Sequence, residues 1–186
     1  HLFSGPGQRQ DGIRRLAALL LQVDTVEVDT LIDDIDCNLL RDDVYDDLMA
    51  RIRAGEFFAA IIGTPCGTFS VARIPKEGVA DGGPRQLRDI NYVHGLPGLS
   101  ERDQQAVDDS NELVERSVSV ARAIHAAGGG FIIENPVTRS DPASDRYRWI
   151  WRSHASLWMH ASVVGLAGER WAKEVSFPQC ALGGDY

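Results

Sequence analysis

The sequence has few cysteines, no long apolar run and no excess of basic residues. Its three cysteines, Cys37, Cys66 and Cys180, are an odd number and form no Cys-x-x-Cys pair. This argues against a disulfide framework and against a zinc site, and it favours a reducing compartment such as the cytoplasm or nucleus. The longest strictly apolar runs are about six residues, whereas a membrane span needs about 20. We therefore expect neither a membrane partner nor a metal.

The charge of the chain is unevenly distributed. A net charge of −8 by itself argues against a nucleic-acid partner. Residues 23–56, however, hold 11 acidic and 3 basic side chains, which accounts for the whole net charge. The remainder of the chain is balanced, so a polyanion could dock there.

The length and composition indicate one globular domain. The chain has 186 residues, of which 44% are hydrophobic and 25% are charged. It opens on His1 without a starting Met and ends at Tyr186. We therefore expect residues 1–186 to be a single domain that belongs to a longer polypeptide with further domains.

The spacing of apolar residues predicts alternating helices and strands. Helices are expected over 11–22, 45–53, 107–124 and 144–159, and strands over 25–28, 57–62, 131–133 and 175–177. The apolar runs 57–62 and 131–133 are typical of buried parallel strands. This alternation predicts an α/β fold, with a mostly parallel sheet and helices on both faces. Ligands in such sheets bind at the carboxyl ends of the strands.

Two segments near the amino end are candidate ligand contacts. The glycines of Phe3-Ser4-Gly5-Pro6-Gly7 would let backbone N–H groups approach an anionic ligand, although a simple turn explains them equally well. Glu27 stands where a nucleotide-binding unit places an acid for ribose hydroxyls, and the alternative is one more acid in an acidic stretch.

Two later loops carry the candidate reactive groups. Cys66, in Gly63-Thr64-Pro65-Cys66, follows an apolar strand, and loop amides there favour a nucleophilic thiolate. Glu134-Asn135-Pro136 follows the next strand and offers a proton donor, or else a helix-capping acid. The histidines do not follow clear strands, so Glu134 is the preferred partner of Cys66. A Cys–His hydrolase remains an alternative.

In this order, the motifs resemble those of the cytosine-5 DNA methyltransferases, enzymes that use S-adenosylmethionine (SAM) on a Rossmann-like sheet. Phe3-x-Gly5-x-Gly7 is similar to their first cofactor motif, and Gly63-x-Pro65-Cys66-x-x-Phe69-Ser70 is similar to their catalytic Pro-Cys motif. Glu134-Asn135-Pro136 is similar to their Glu-Asn-Val motif, and the resemblance covers roughly residues 1–140.

The resemblance implies roles for these residues. Cys66 would attack carbon 6 of a flipped-out cytosine, Glu134 would assist at ring nitrogen 3, and Pro65 and Asn135 would complete the catalytic motifs. The cofactor would be SAM. Its implied contacts are Phe3, Gly5, Gly7, Glu27, Asp43 and Pro65. DNA is the implied partner, and RNA is an alternative because one member of the family methylates a transfer RNA.

Basic residues near the Pro-Cys motif are candidates for phosphate contacts. Residues 71–101 form a predicted closing loop, and its basic residues, with one arginine beyond it, are Arg73, Lys76, Arg85, Arg88 and Arg139. A solvated loop is the alternative. The chain also departs from the family: the Gln-x-Arg-x-Arg motif and a target-recognition domain are missing. A non-catalytic binding module with the same fold is therefore the second hypothesis.

Overall fold

The computed structural model describes residues 1–6, 12–74, 83–141 and 151–177. Its helices are α1 (Ile13–Leu16, continued by a π-helical segment at Ala17–Leu21), α2 (Asp42–Arg53), α3 (Glu101–Ala126) and α4 (Ala161–Ala167), and its strands are β1 (Ala59–Ile62) and β2 (Gly130–Ile133). Short 3-10 helices lie at Val71–Arg73 and Leu157–Met159. The protein is therefore mixed α/β, as the alternation of patterns predicts.

The two strands form a parallel sheet, which single bridges extend on one side. Strand β1 pairs with β2 in the register Ala59 with Gly130 through Ile62 with Ile133. Leu2 forms parallel bridges to both Ile62 and Val28. The spatial order is therefore Val28, Leu2, β1, β2, with all four segments parallel. Their carboxyl ends meet at one edge, which we call the carboxyl edge.

Helix α3 is the central element of the core and confirms the predicted long helix. Val107, Val114, Val118, Ala121 and Ile124 recur at helical spacing, and each is at most 1% exposed. The helix packs against β1, β2, α2 and α4. Its start is capped by Ser100, whose side chain accepts a hydrogen bond from the Asp103 amide.

Glycines end α3 and allow it to turn directly into β2. Gly128 adopts a φ of +85°, the left-handed conformation that commonly terminates helices. A Cβ atom on Gly129 would lie 2.7 Å from the carbonyl oxygen of Phe58, closer than real contacts allow. The chain therefore needs glycine at 129 to pass beside the segment before β1.

Within the described part of the chain, α3 covers one face of the sheet, whereas the sequence predicts helices on both faces. The face that carries Ala60 and Ile62 packs on α3. On the opposite face, Ala59 is exposed and Ile132 is 60% exposed. Strand β2 is therefore half-exposed rather than buried. The apolar run predicted burial, but alternate residues of a strand face opposite ways.

Helix α1 does not cover this open face. Its π-helical continuation leaves Leu19, Leu20 and Leu21 between 66% and 75% exposed. The apolar spacing at 11–22 therefore predicts the helix correctly, but within the described residues Leu19, Leu20 and Leu21 remain exposed.

Three other predicted elements differ from the structure. Residues 151–156 are not helical, and 142–150 lie outside the described residues. The side chain of His154 instead bonds to the Phe69 carbonyl, and the side chain of Ser156 bonds to Thr138. Residues 175–177 are exposed and form no strand, and 25–28 contributes only the bridge at Val28. No helix among the described residues is long and apolar enough to cross a membrane.

Candidate functional site

The carboxyl edge of the sheet brings the predicted motifs together. The Gly63 amide donates to the Leu2 carbonyl (3.2 Å), and the Glu134 amide donates to the Ile62 carbonyl (2.9 Å). The segment beginning at Phe3, the Pro65-Cys66 loop and the Glu134-Asn135 loop therefore leave the sheet at the same edge. Their proximity follows from parallel pairing of the strands that precede them.

A side-chain hydrogen bond joins the two candidate catalytic loops. Asn135 Nδ2 donates to the carbonyl oxygen of Thr64 at 2.7 Å. This bond fixes the loop after β2 against the residue that precedes Pro65. In this structure the side chain of Asn135 therefore connects the two loops.

Cys66 lines a cavity of about 250 Å³, several times the roughly 30 Å³ that one water occupies in the liquid. Asn135, Pro136, Arg139 and His154 also line it. Cys66 is a half-buried free thiol in a tight turn, in which the Phe69 amide donates to the Cys66 carbonyl (2.9 Å). A ligand in this cavity would therefore have access to the thiol.

Glu134 and Pro65 lie differently from the cavity-lining residues. Both are exposed, and neither is among the residues that line the cavity. Glu134 directly follows Ile133, the last residue of β2. The structure thus places the Cys66 and Glu134 backbones at the same edge without bringing both side chains into one cavity.

His154 also lines the cavity, although the sequence did not predict a role for it there because it follows no clear strand. Its Nε2 lies 2.9 Å from the Phe69 carbonyl, and its Nδ1 accepts a hydrogen bond from the Arg139 amide at 3.0 Å. The carbonyl can only accept, so Nε2 carries the proton. Burial lowers the pKa of His154, which keeps the ring neutral. With both nitrogens engaged, His154 is not available as a base for Cys66, which argues against that Cys–His hydrolase pair.

The amino-terminal segment forms a constrained turn at the carboxyl edge. Phe3 has a φ of +57° and Gly5 a φ of +73°, and a Cβ atom on Gly5 would meet open space. The Gly5 amide donates to Asp29 Oδ2 at 2.8 Å. Positive φ at the non-glycine Phe3 is uncommon and costs free energy, a feature that clusters at ligand sites. The predicted contact Gly7 lies outside the described residues.

Glu27 offers an unsatisfied acceptor on the second strand segment. Its side chain is 8% exposed, and its Oε2 makes no hydrogen bond, although Arg14 Nη1 lies 3.6 Å away. A buried carboxylate oxygen without a donor is costly. A ligand hydroxyl would satisfy it, so Glu27 and the turn at Gly5 fit a ribose-bearing cofactor such as SAM.

Asp43 has a different local role. It is exposed in the first turn of α2, and its carboxylate binds the Arg41 guanidinium at 2.6 and 3.1 Å. This hydrogen bonding lowers the pKa of Asp43. The described contacts do not connect Asp43 with the turn at Gly5.

The five predicted phosphate contacts have different surroundings. Arg85 is exposed and lies 3.9 Å from Asp103, and Arg73 donates to the carbonyls of Gly67 and Arg85. Arg139 lines the cavity that contains Cys66. Lys76 lies outside the described residues. Residues 75–82 of the predicted closing loop are outside them as well.

Arg88 requires a correction, because it is an interior residue rather than a phosphate contact. It is 3% exposed and donates to the carbonyls of Val93 and Val107 and to the side chains of Thr68 and Asn111. Its guanidinium lies 3.9 Å from the centre of the Phe69 ring. Burial lowers the pKa of Arg88 to about 10, so it stays charged at neutral pH.

Sequence reasoning also missed the hydroxyl groups that hold the Cys66 loop. Thr64 Oγ1 donates to Ser117 Oγ (3.0 Å), and Thr68 Oγ1 donates to Ser110 Oγ (2.8 Å). In the sequence, these partners could have been inferred from two serines, Ser110 and Ser117, within the apolar stripe of α3. Polar residues buried in such a stripe require partners.

Among the described residues, no group of three or more His, Cys, Asp or Glu side chains could hold a metal ion. Comparisons of the chain with protein-family models, characterised proteins and solved structures found no match.

Proposed function

We propose that this protein is a SAM-dependent methyltransferase that modifies carbon 5 of cytosine in DNA through a covalent adduct on Cys66. The observation that carries the proposal is the 2.7 Å hydrogen bond from Asn135 Nδ2 to the Thr64 carbonyl. It ties the loop containing Pro65 and Cys66 to the loop containing Glu134 and Asn135, the two loops to which the resemblance gives catalytic roles. A complete Rossmann-like methyltransferase fold is part of the proposal.

The proposed reaction begins when the Cys66 thiolate adds to carbon 6 of cytosine. The electrons of the 5,6 double bond shift through carbon 5 and carbon 4 to nitrogen 3, where Glu134 donates a proton or a hydrogen bond. Carbon 5 becomes nucleophilic and takes a methyl group. Removal of the carbon 5 proton by a base restores the double bond and expels the thiolate. SAM, when bound, would supply the electrophilic methyl group, and the broken S–CH3 bond would leave S-adenosylhomocysteine.

Several contacts support this assignment of roles. Cys66 lines a cavity of about 250 Å³, in which a nucleobase would have access to the thiol. The turn at Gly5 and the buried, unsatisfied Glu27 Oε2 fit a ribose-bearing cofactor at the same edge. A base inside a duplex cannot reach such a cavity, so DNA methylation would require base flipping.

A second candidate is a non-catalytic binding module that keeps the cofactor. The exposure of Glu134 favours it, because the carboxyl group is outside the cavity that Cys66 lines. In the catalytic case, bound nucleic acid has to bring the cytosine ring between the two side chains. The two candidates differ in whether a covalent adduct forms.

Covalent trapping tests the proposal directly. The protein is incubated with SAM and a DNA duplex that contains 5-fluorocytosine, then run on a denaturing gel. Because fluorine cannot leave as a proton does, a cytosine methyltransferase stays attached to this DNA. We expect a shifted band with the wild type and with Cys37→Ser, and no band with Cys66→Ser. Equal bands for all three proteins would contradict the assignment of Cys66.

The absence of a wild-type band would favour the binding module. Equilibrium dialysis with labelled SAM then distinguishes the alternatives. Saturable SAM binding without an adduct on DNA or on a matched RNA supports the module. An adduct on RNA alone keeps the chemistry and changes the substrate.

A further inference from the structure

The loop that carries Cys66 is anchored to α3 on both sides of the cysteine. Thr64, two residues before it, donates to Ser117, and Ser117 donates in turn to the Leu113 carbonyl (2.7 Å). Thr68, two residues after it, donates to Ser110. Thr64 is 2% exposed and Ser117 is 2% exposed, so the first anchor is fully removed from solvent.

Arg88 completes the second anchor from the other side. The Thr68 hydroxyl accepts a hydrogen bond from Arg88 Nε at 3.1 Å while it donates to Ser110. Arg88 also binds Asn111 and the Val107 carbonyl of α3. The Thr68 hydroxyl therefore lies between two groups that are both fixed by the long helix.

We propose that Thr68, together with Ser110 and Arg88, is a positioning residue that fixes the Cys66 thiol in the lining of its cavity. With Thr64 and Thr68 both anchored and only three residues between them, the Cys66 backbone has little freedom. The kinetic part of this inference rests on the proposed methyltransferase function. The structural part, the restraint of the thiol, does not.

Thr68→Val is the direct test, because valine keeps the shape of threonine and removes only its hydroxyl. Misplacing a reacting group by about 1 Å can cost roughly 10²-fold in rate. We expect Thr68→Val to lower kcat for DNA methylation by about 10- to 100-fold while KM for SAM stays within about twofold. Thr68→Ser, which keeps the hydroxyl, should restore most of kcat.

The reactivity of the thiol gives a second readout that needs neither SAM nor DNA. The native protein is treated with iodoacetamide, and alkylation of Cys66 and Cys37 is followed by peptide mass spectrometry. A loosened loop exposes the thiol more often, so Thr68→Val should alkylate several-fold faster at Cys66 and at an unchanged rate at Cys37. Ser110→Ala should behave like Thr68→Val, and Ser119→Ala, on the same helix, should behave like the wild type.

The two readouts separate failure of this inference from failure of the proposed function. If the wild type does not methylate DNA, alkylation alone decides, and unchanged Cys66 reactivity in Thr68→Val overturns the positioning role. If the wild type does methylate, a kcat for Thr68→Val within twofold of the wild type overturns it. Equal impairment of Thr68→Ser and Thr68→Val would overturn it as well.

Discussion

Asn135 donates its side-chain amide to the carbonyl of Thr64 and so joins two loops that are 71 residues apart in sequence. The bond crosses the ends of neighbouring strands and lies beside the cavity that Cys66 lines. It makes the relative placement of the two candidate catalytic loops depend on one side chain.

Replacement of Asn135 should therefore affect both activity and stability. In Asn135→Ala the Thr64 carbonyl loses its side-chain donor, which costs about 1–3 kcal/mol in unfolding free energy. We expect kcat for methylation to fall by roughly 10- to 100-fold. Urea unfolding and steady-state kinetics check the two effects. Asn38→Ala removes a local turn contact with the Leu40 amide at a residue that does not line the cavity, and it is the stability control. Full activity in Asn135→Ala would show that the tie is dispensable.

Replacement of Arg88 should reveal an interior residue. Arg88→Met leaves several buried acceptors unpaired, so we expect a loss of roughly 2–4 kcal/mol in unfolding free energy. Arg85→Met, at an exposed arginine of the same segment, should change it by less than about 0.5 kcal/mol. Urea denaturation measures both. Equal stabilities for the two variants would contradict the interior assignment of Arg88.

Glu27 should contribute to cofactor binding. Glu27→Gln keeps the shape of the side chain but removes the charge from the buried acceptor. A hydrogen bond to a charged group contributes about 1.5–3 kcal/mol, so we expect SAM to bind roughly 10- to 100-fold more weakly. Calorimetric titration with SAM measures this. Glu56→Gln, at an exposed carboxylate paired with Arg51, is the matched control, and equal affinities for both variants would exclude Glu27 as a contact.

His160 should make the fold sensitive to mild acid. It is 0% exposed, its Nδ1 accepts from the Ser162 amide at the start of α4, and its ring lies 4.4 Å from that of His94. Burial lowers the pKa of His160 to about 4 from the usual 6.5. The unfolded chain therefore binds the proton more readily, so stability falls as the pH drops from about 6.5 toward 4.

The magnitude and the control for this pH dependence follow from the same contacts. The shift corresponds to a loss of up to roughly 3 kcal/mol across that pH range. His160→Asn keeps an acceptor for the Ser162 amide and removes the titrating ring. Urea midpoints at pH 7.5 and 5.0 should therefore differ less in His160→Asn than in the wild type. Identical differences would exclude His160 as the source.

The sequence by itself determined the features that depend on local periodicity and on motif order. The apolar spacing from Val107 to Ile124 defined α3, because one helical face has to be buried whatever it packs against. The parallel alternation of strands and helices also placed the loops at Gly5, Cys66 and Glu134 at one edge. That placement needs only chain direction and parallel pairing.

The tertiary structure alone decided which side chains meet. Arg88 and Arg85 both belong to a polar loop, yet only Arg88 is enclosed, because α3 supplies two acceptors for it, the Val107 carbonyl and the side-chain oxygen of Asn111. Glu134 and Asn135 are adjacent, yet Glu134 is exposed while the side chain of Asn135 donates to the Thr64 carbonyl. Burial and partner choice depend on segments distant in the chain, and no local pattern encodes them.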